Sequence, residues 1–387
     1  MAIVGGGIGG LTTALCLHRF GHHPVVFEQA TELRPVGAGL SLWPNGIKVL
    51  NLLGLGPTVA TLGGAIDRMA YADARGRPLL DFALDELYHR VGERARPIAR
   101  ARLQDLLLAE VSAVLGSDGV QLGARVVAVD DGDAGASVAV DDGRTFVADV
   151  VVAADGTHSK LRDAVVGRPV ERRYVGYVNW NGLVAESVDI APTGTWLTWV
   201  GAGQRASVMP VGAGQCYWFF DVPMESAAAS CIGGDHRQVL ADRFGRWAPA
   251  VQALIERLDT DGVARIPIHD IDPLPTWVRD RIVLLGDAAH AMAPDLGQGG
   301  CQAIEDAWVL THHLTATSHS VADALARYEA ERLPHTAEMV RRARNRSDLT
   351  HAVDPAATEA WYRSLATDGH AGIVDGLAQS VEVGPCR

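Results

Sequence analysis

The most constraining feature of the sequence is a glycine pattern near its start. Gly5, Gly7 and Gly10 fit G-x-G-x-x-G, directly after the apolar run 2–4 and at the start of a helical segment, 11–20. In such a pattern the first glycine permits a tight turn, the second lets the backbone approach a pyrophosphate, and the third lets the helix pack against the sheet. Phosphates bind well at a helix N-terminus, because the N–H groups there are unpaired. The pattern therefore predicts dinucleotide binding.

Strand character returns at residues 24–28, which completes a β-α-β unit. Glu28 ends this strand, eighteen residues after Gly10, where its carboxylate can accept hydrogen bonds from a ribose. FAD and NAD both bind in this way, so the unit alone does not distinguish them.

Two later strand-end motifs favour a flavin. The apolar run 150–154 leads into Asp155 of the sequence A-D-G-T-H-S, and the run 282–285 leads into Asp287 of G-D-A-A-H. Both runs predict buried parallel strands, and an aspartate at a strand end can bind a ribityl hydroxyl. The loop 294–300 then opens a helix whose N-terminus could stabilise the negative charge of reduced flavin.

The remaining segments predict a second lobe and several helices. Residues 171–272 are rich in valine and aromatic residues with partial alternation, which predicts a mostly antiparallel sheet and a substrate lobe. Helical spacing covers 302–314 and 321–346, and we expect the many arginines of the second segment to lie on a solvated face.

We therefore predict an α/β fold with a Rossmann-type nucleotide-binding domain in three segments, a mostly antiparallel substrate domain and C-terminal helices. The expected boundaries are 1–72, 99–170 and 273–347 for the first domain, 73–98 and 171–272 for the second, and 348–387 for a helical cap.

Composition excludes several other classes of protein. The formal net charge of -12 argues against nucleic acid as a partner, and no apolar run approaches the roughly 18 residues needed to cross a membrane. No metal site or disulfide framework is predicted, because the five cysteines are scattered: Cys16, Cys216, Cys231, Cys301 and Cys386. No signal peptide is visible, so we expect a cytoplasmic protein. We also expect a monomer or a small homo-oligomer, although the sequence does not indicate which.

The glycine fingerprint, the D-G motif and the G-D motif, in this order, resemble those of group A flavoprotein monooxygenases, which have the para-hydroxybenzoate-hydroxylase fold. The resemblance implies bound FAD and NADH as a transient co-substrate, since only one G-x-G-x-x-G is present. It also implies that O2 adds to the flavin to give a C4a-hydroperoxide, which hydroxylates the substrate. The strand before Gly5 is about two residues shorter than the family has, so we expect it to be frayed.

Within this family, the sequence is similar over nearly its whole length to the bacterial FAD-dependent urate hydroxylases. The similar stretches include 39–46, 68–71, 176–182, 209–211, 220–223, 268–271 and 299–301. The similarity implies hydroxylation of urate at C5 to 5-hydroxyisourate, in purine catabolism. It implies that Arg205, Tyr217 and Asp295 take part in catalysis, with Asp295 paired to Arg205, and that substrate is bound by Asn179, Arg205, Tyr217 and Gly297.

The family motifs and this similarity also give a set of expected cofactor contacts. Gln29 departs from the pattern, because the similar enzymes carry a small residue there. The expected contacts are Gly5, Gly7, Gly9, Gly10, Glu28, Gln29, Ser41, Arg100, Val126, Asp155, Asp287, Gly297, Gln298, Gly299, Gly300 and Cys301.

The implied substrate residues suit an anionic heterocycle. A guanidinium can bind the edge of urate with two aligned donors, the amide of Asn179 offers a donor and an acceptor, and the ring of Tyr217 can pack on the substrate. Each residue alone has a simpler interpretation. Arg205 could be an exposed strand residue, Tyr217 a core aromatic, Asn179 a turn residue and Asp295 a helix cap.

Two other functions remain open. The same flavin chemistry would serve a hydroxylase of a phenolic acid such as salicylate, and a flavoprotein of this fold could instead be a ligand-binding redox sensor. No G-x-S-x-G elbow is present, and His158, His269 and His290 lack the spacing of metal ligands, so we assign no nucleophile and no metal.

Overall fold

The computed structural model describes residues 1–33, 38–132, 135–227, 235–316 and 320–381. Cys231, Cys386 and the last six residues of the predicted cap lie outside the described residues. Within the described ranges, no helix combines the length and the apolar character needed to cross a membrane.

The first half of the described chain contains six helices and twelve strands. In chain order these are β1 (Ala2–Val4), α1 (Ile8–Arg19), β2 (Val25–Glu28), β3 (Gly39–Leu40), α2 (Pro44–Leu52), α3 (Gly56–Leu62), β4 (Arg68–Asp73), β5 (Pro78–Ala83), α4 (Asp85–Val91), β6 (Ile98–Ala99), α5 (Arg100–Leu115), β7 (Val120–Leu122), β8 (Val126–Gly132), β9 (Gly135–Val140), β10 (Thr145–Ala148), β11 (Val151–Ala153), α6 (Leu161–Val166) and β12 (Arg173–Ala185).

The second half of the described chain supplies the remaining strands and the long helices. In chain order these are β13 (Thr195–Gly201), β14 (Gln204–Pro210), β15 (Gln215–Pro223), α7 (His236–Phe244), α8 (Pro249–Glu256), β16 (Ala264–Asp270), β17 (Val278–Arg279), β18 (Ile282–Leu284), α9 (Asp287–His290), α10 (Gly299–Thr315), α11 (Val321–Thr350), α12 (Pro355–Thr367) and α13 (Ala371–Val381).

A six-stranded sheet forms the core of the nucleotide-binding domain, in the order β17-β18-β11-β1-β2-β7. The three apolar runs that the sequence predicts as buried strands lie side by side and parallel, as β1, β11 and β18. All three residues of β1 pair on both sides, with β2 and with β11. The predicted β-α-β unit and the predicted parallel strands are therefore confirmed.

The substrate sheet has seven strands in the order β16-β12-β15-β14-β13-β4-β5, and its pairs are antiparallel except for β13 with β4. The predicted antiparallel sheet is confirmed, but the boundary at residue 72 is wrong. Residues 68–73 form β4, which pairs with β13 and β5, so the first segment of the nucleotide-binding domain ends before Arg68. The sequence has no motif before β4 that marks the change of domain. The alternation of β4 simply continues into the following hairpin.

Alternation along the central strands gives this sheet two different faces. One face is apolar and packs against α7 and α8 through buried aromatic residues, among them Trp180, Trp218, Phe220 and Phe244. The other face carries Asn179, Arg205, Tyr217 and Asp221, at alternating positions of β12, β14 and β15. The strands therefore bring the polar side chains of the substrate lobe together on one surface.

The arginines of α11 do not all lie on a solvated face, and for Arg332 that expectation is wrong. Arg332 is 3% exposed. Its guanidinium donates to Asp306 at 2.7 Å and to Gln302 Oε1 at 2.7 Å, and it lies 3.3 Å from Glu305. These acidic residues belong to α10, and the helical spacing of α11 alone could not reveal them as partners.

Asp306 extends this charged cluster to the G-D turn. Its carboxylate accepts from His290 Nε2 at 2.6 Å and from the backbone N–H of Gly286 at 3.0 Å. Burial opposes ionisation, but the charges of Arg332 and His290 lower the pKa of Asp306 to about 2. One buried carboxylate therefore fixes α11, α10 and the turn after β18 relative to one another.

Arg332→Met should lower the free energy of unfolding by roughly 3–5 kcal/mol, because it leaves buried carboxylates without their cation. The matched control is Arg341→Met on the same helix, since the Arg341–Glu338 pair is half-exposed and should contribute under about 1 kcal/mol. Urea unfolding of the two variants measures the difference. Equal midpoints would contradict a structural role for the buried cluster.

Glu305 should make stability fall as the pH rises towards neutrality. Burial, with the neighbouring Asp306, raises the pKa of Glu305 from 4.5 to about 7 although Arg332 opposes the shift. The folded state therefore holds this proton more tightly than the unfolded chain, and its contribution is lost between about pH 4.5 and 7, by up to about 1.4 kcal/mol per pH unit. Glu305→Gln should flatten urea-unfolding free energies over this range, whereas the exposed Glu338→Gln should not.

Candidate active site

The glycine loop between β1 and α1 has the shape that a pyrophosphate site needs. Gly5 has φ +111°, and a Cβ there would lie 2.3 Å from Ala154 O. A Cβ on Gly10 would lie 2.0 Å from Gly5 O, and one on Gly9 would lie 2.9 Å from Leu285 Cδ2. A Cβ on Gly7, in contrast, would meet nothing within 4 Å. The loop is therefore packed tightly from behind and open at the start of α1, where a phosphate could approach N–H groups.

Glu28 is fixed at the end of β2 by two backbone groups. The N–H of Gly6 donates to its Oε2 at 2.7 Å, and the N–H of Ala30 donates to its Oε1 at 2.8 Å. Gln29 beside it is exposed, and Val126 on β8 is half-buried. The carboxylate of Glu28 is thus oriented before any ribose binds.

The D-G motif contributes a buried acceptor. Asp155 Oδ2 accepts from the N–H of Lys160 at 3.1 Å, whereas its Oδ1 is buried and has no hydrogen-bond partner in the described part of the chain. A buried acceptor of this kind is costly unless a ligand supplies a donor. Asp155 therefore fits a ribityl hydroxyl.

Arg162 joins the D-G motif to the G-D turn, a role that the sequence motif does not reveal. It is 1% exposed and donates to Ala288 O at 2.7 Å, Asp287 O at 2.8 Å and Thr157 O at 3.2 Å. The Asp287 side chain is exposed at the first position of α9. Arg162 holds the backbones of the two turns together and leaves the Asp287 carboxylate free to face a ligand.

The loop before α10 packs against β3 and the residues that follow it. Gly297 has φ +63°, and a Cβ there would lie 3.0 Å from Trp43 Nε1 and 3.1 Å from Ser41 Cβ. A Cβ on Gly300 would lie 2.8 Å from Leu40 Cδ1. A side chain at residue 297 would be strained by the positive φ and crowded, whereas one at residue 300 would require the Leu40 side chain to move. The N-terminus of α10 therefore lies directly against the segment that contains Ser41.

Gln298 and Cys301 are buried and brace this loop. Gln298 Oε1 accepts from Asn45 Nδ2 at 3.0 Å, and the thiol of Cys301 donates to Ser41 O at 3.5 Å. Burial raises the pKa of Cys301 to about 12, so the residue remains a thiol at neutral pH. Gly299, the first residue of α10, has no side chain to block the approach of a ligand, and Cys301 can offer a flavin only its backbone.

Arg100 is the first residue of α5, and its backbone N–H donates to Ala38 O at 3.1 Å. Its side chain is half-buried and lies close enough to Tyr217 for its charge to oppose slightly the rise that burial causes in the pKa of that phenol. The structure therefore places Arg100 between the nucleotide-binding domain and the substrate face of the seven-stranded sheet.

The polar centre of the substrate face is a row of three residues in register across β12, β15 and β14. Asn179 lies opposite Asp221, and Asp221 lies opposite Arg205. Asp221 accepts from Asn179 Nδ2 at 2.6 Å and from Arg205 Nε at 2.7 Å. Sequence reasoning missed Asp221, although a single charge within the apolar run 216–222, on the same face as Tyr217, is a signal that could have identified it.

Asp295 completes this cluster from the turn before α10. It accepts from Arg205 Nη2 at 3.0 Å and from the hydroxyl of Tyr177 at 2.8 Å, and its side chain has no exposed area. Burial opposes ionisation, but the charge of Arg205 lowers the pKa of Asp295 to about 2. Asp295 is therefore an anion that positions Arg205 rather than a free helix cap.

The two carboxylates leave only part of the guanidinium for a ligand. Asp221 and Asp295 occupy Nε and Nη2, whereas Nη1 makes no hydrogen bond to any of the residues that the structure describes. A substrate would therefore meet one nitrogen with two hydrogens, rather than two aligned nitrogens. The carboxylates together raise the pKa of Arg205 against the effect of burial, so the residue stays charged.

Phe219 separates Arg205 from Tyr217 on this face and was missed by sequence reasoning. The centroid of the Phe219 ring lies 5.0 Å from Arg205 Cζ and 5.6 Å from the centroid of the Tyr217 ring. The hydroxyl of Tyr217 makes no hydrogen bond to another described residue, and burial raises its pKa. It is therefore a neutral phenol that can donate. Gly39 packs directly on this ring, since a Cβ there would lie 2.4 Å from Tyr217 Cγ.

Comparison with known proteins identifies the family of the chain. A family model described as FAD binding domain matches residues 1–343. The FAD-dependent urate hydroxylase of Klebsiella oxytoca is 44% identical over 99% of this chain and 98% of its own length. That of Mycolicibacterium vanbaalenii is 43% identical over 100% of this chain and 97% of its own length. The crystal structure of Klebsiella pneumoniae HpxO complexed with FAD and uric acid matches with a TM-score of 0.94 at 43% identity, over 99% of this chain and 97% of that one.

These matches confirm the resemblance inferred from the glycine, D-G and G-D motifs. The family model spans the nucleotide-binding sheet and the whole substrate sheet, and the relatives cover the chain almost completely. FAD as the cofactor is supported both by the family model and by the FAD complex of the similar structure. The chain therefore belongs to the FAD-binding group A flavoprotein monooxygenases.

Proposed function

We propose that this monooxygenase hydroxylates urate at C5, giving 5-hydroxyisourate, with NADH as electron donor and O2 as oxygen source. The observation that carries the proposal is Arg205, a permanently charged guanidinium held between Asp221 and Asp295 at the centre of the substrate face. Similarity to urate hydroxylases over the whole chain supports urate as the anion that it binds.

The residues present fit FAD. The open start of α1, the unpaired Oδ1 of Asp155 and the glycine-led N-terminus of α10 offer donors and acceptors for phosphate, ribityl and pyrimidine groups. When bound, FAD supplies the redox chemistry, by accepting electrons from NADH and activating O2. NADH is proposed as a transient co-substrate, since the sequence has a single dinucleotide fingerprint.

The protein's part of the reaction is to bind and orient an anion. Nη1 of Arg205 faces the substrate, and the neutral hydroxyl of Tyr217 donates a second hydrogen bond from the other side of Phe219. Asn179 acts mainly on Asp221, because its amide already donates to Asp221 and accepts from Asn181 at 2.7 Å. The rigid cluster fixes the charge before substrate arrives, which lowers the cost of ordering the site.

A phenolic acid is the second candidate, because its carboxylate could also bind to Nη1 of Arg205. Urate and salicylate should be tested separately with the FAD-bound protein. Urate should accelerate NADH oxidation and O2 consumption and give a product hydroxylated at C5. Turnover of salicylate with no response to urate would instead establish the second candidate. FAD binding without any ligand-stimulated O2 consumption would indicate a redox sensor.

Arg205→Gln should lower kcat/KM for urate by about 100-fold or more and leave FAD bound. Loss of one member of a buried charge pair costs roughly 2–5 kcal/mol, and 1.4 kcal/mol corresponds to tenfold. Steady-state O2 consumption and the flavin absorbance of the purified variant measure the two properties. Arg205→Lys keeps the charge but not the planar geometry, so it should recover only part of the rate.

Asp287→Ala is the opposite control, because Asp287 lies at the G-D turn and not on the substrate face. It should weaken FAD binding, with activity restored by excess FAD. A colourless Arg205→Gln protein, or an Asp287→Ala protein with full flavin and no activity, would contradict this separation of roles.

A further inference from the structure

His351 lies beside the cluster of Arg205, Asp221 and Asp295, here called the substrate cluster. It has no role in the reaction proposed above. It follows α11 directly, is 8% exposed, and stacks on Tyr177 with ring centroids 3.9 Å apart. Its Nδ1 lies 3.1 Å from Gly203 O, and its Nε2 lies 3.7 Å from Asp295 Oδ1. A buried histidine thus connects the end of α11 to the turn before Arg205 and to the carboxylate that positions Arg205.

The two ring nitrogens are in different situations. A carbonyl oxygen only accepts hydrogen bonds, so Nδ1 carries a hydrogen. Nε2 is buried and has no hydrogen-bond partner in the described part of the chain. In a neutral ring it would therefore direct a lone pair towards the Asp295 carboxylate, whereas in a doubly protonated ring it would direct an N–H there.

The cluster of Arg205, Asp221 and Asp295 carries an excess negative charge. Asp221 and Asp295 with Arg205 carry a formal charge of -1, in side chains that are 0%, 0% and 12% exposed. An anionic substrate would increase this to -2. Uncompensated buried charge is costly, so a cation within the cluster would favour binding of the anion.

Besides His351, Arg205 is the one basic side chain that the described residues place in contact with Asp295. Asp295 and Tyr177 contact the ring, and Arg205 and Tyr362 lie one contact further away. Asp221 lies beyond Arg205. Of these, only Arg205 is basic, and it is already shared by the two carboxylates. Histidine is the side chain whose charge ordinarily changes near neutral pH.

We propose that His351 takes up one proton from solvent when the anionic substrate binds, and that the resulting imidazolium is the fourth charge of the substrate cluster. His351 is then a positioning residue that acts on the substrate through Asp295 and Arg205. The proton returns to solvent when the anion leaves. This inference rests on the proposed function, because it requires that the substrate be an anion.

Calorimetric titration of the oxidised, FAD-bound protein with urate tests the proposal, since no turnover occurs without NADH. Titrations at one pH in buffers of different ionisation enthalpy give the number of protons taken up. The wild-type protein should take up about one proton more per site than His351→Gln between pH 7 and 8. Its Kd for urate should rise by up to about tenfold per pH unit relative to that of the variant.

Equal proton uptake by the wild-type protein and His351→Gln would overturn the proposal. If His351→Gln does not fold, Asp295→Asn serves instead, because the loss of the carboxylate should abolish the extra uptake, and unchanged uptake would again be contrary. Urate binding without any excess proton uptake leaves the proposed function standing and removes the role of His351. Wild-type protein that shows neither heat nor a change in flavin absorbance with urate would remove both.

Discussion

The substrate face depends on a guanidinium held between two buried carboxylates. Arg205 takes one partner, Asp221, from the neighbouring strand and the other, Asp295, from the turn before α10. The pairing with Asp221 lies within the substrate sheet, whereas the pairing with Asp295 joins that sheet to the turn before α10, where flavin contacts are proposed. A buried pair of this kind is weak evidence for stability, because the desolvation cost offsets much of the attraction. Its clearer consequence is geometric, since the same interaction fixes the substrate sheet relative to α10.

A second buried cation performs a similar task within the first half of α10. Arg332 is bound by Asp306, whose carboxylate also accepts hydrogen bonds from His290 and from the backbone N–H of Gly286. Arg162 then binds the carbonyls of the same turn from the D-G side. The proposed flavin contacts therefore lie on short turns that side chains outside the motifs hold in place.

The fold could be predicted from sequence where local signals decide it. Glycines with steric roles, apolar runs that end in aspartate and alternation in the substrate lobe all report properties of single segments, and the parallel strands and antiparallel sheet followed from them. The boundary before β4 could not be predicted, because the residues of a strand do not indicate which of two sheets the strand will join. Arg332 was misjudged for a related reason, since helical spacing describes one helix and its burial depends on two acids of another.

The candidate site was only partly predictable for the same physical reason. Asn179, Arg205, Tyr217 and Asp295 were identified through resemblance, and the structure brings them to one surface. Asp221 was missed because its role depends on strand register. His351 was missed because its role depends on contacts with residues distant in sequence, such as Gly203, about 150 residues away along the chain. The hydrogen bonds of Asp221 and Asp295 also leave Arg205 with one nitrogen that is unpaired among the described residues, which no sequence pattern could indicate.

The order of strands in the nucleotide-binding sheet has a consequence for how the protein is made. β1 lies at the centre, yet its partner β11 begins at residue 151, and β18, the partner of β11, begins at residue 282. During synthesis the first strand must therefore wait until more than a third of the chain has left the ribosome before it gains its second neighbour. The glycine loop is synthesised early, but β11, β18 and the start of α10 follow only at residues 151, 282 and 299, so the proposed flavin site cannot be complete before most of the 387 residues have been made.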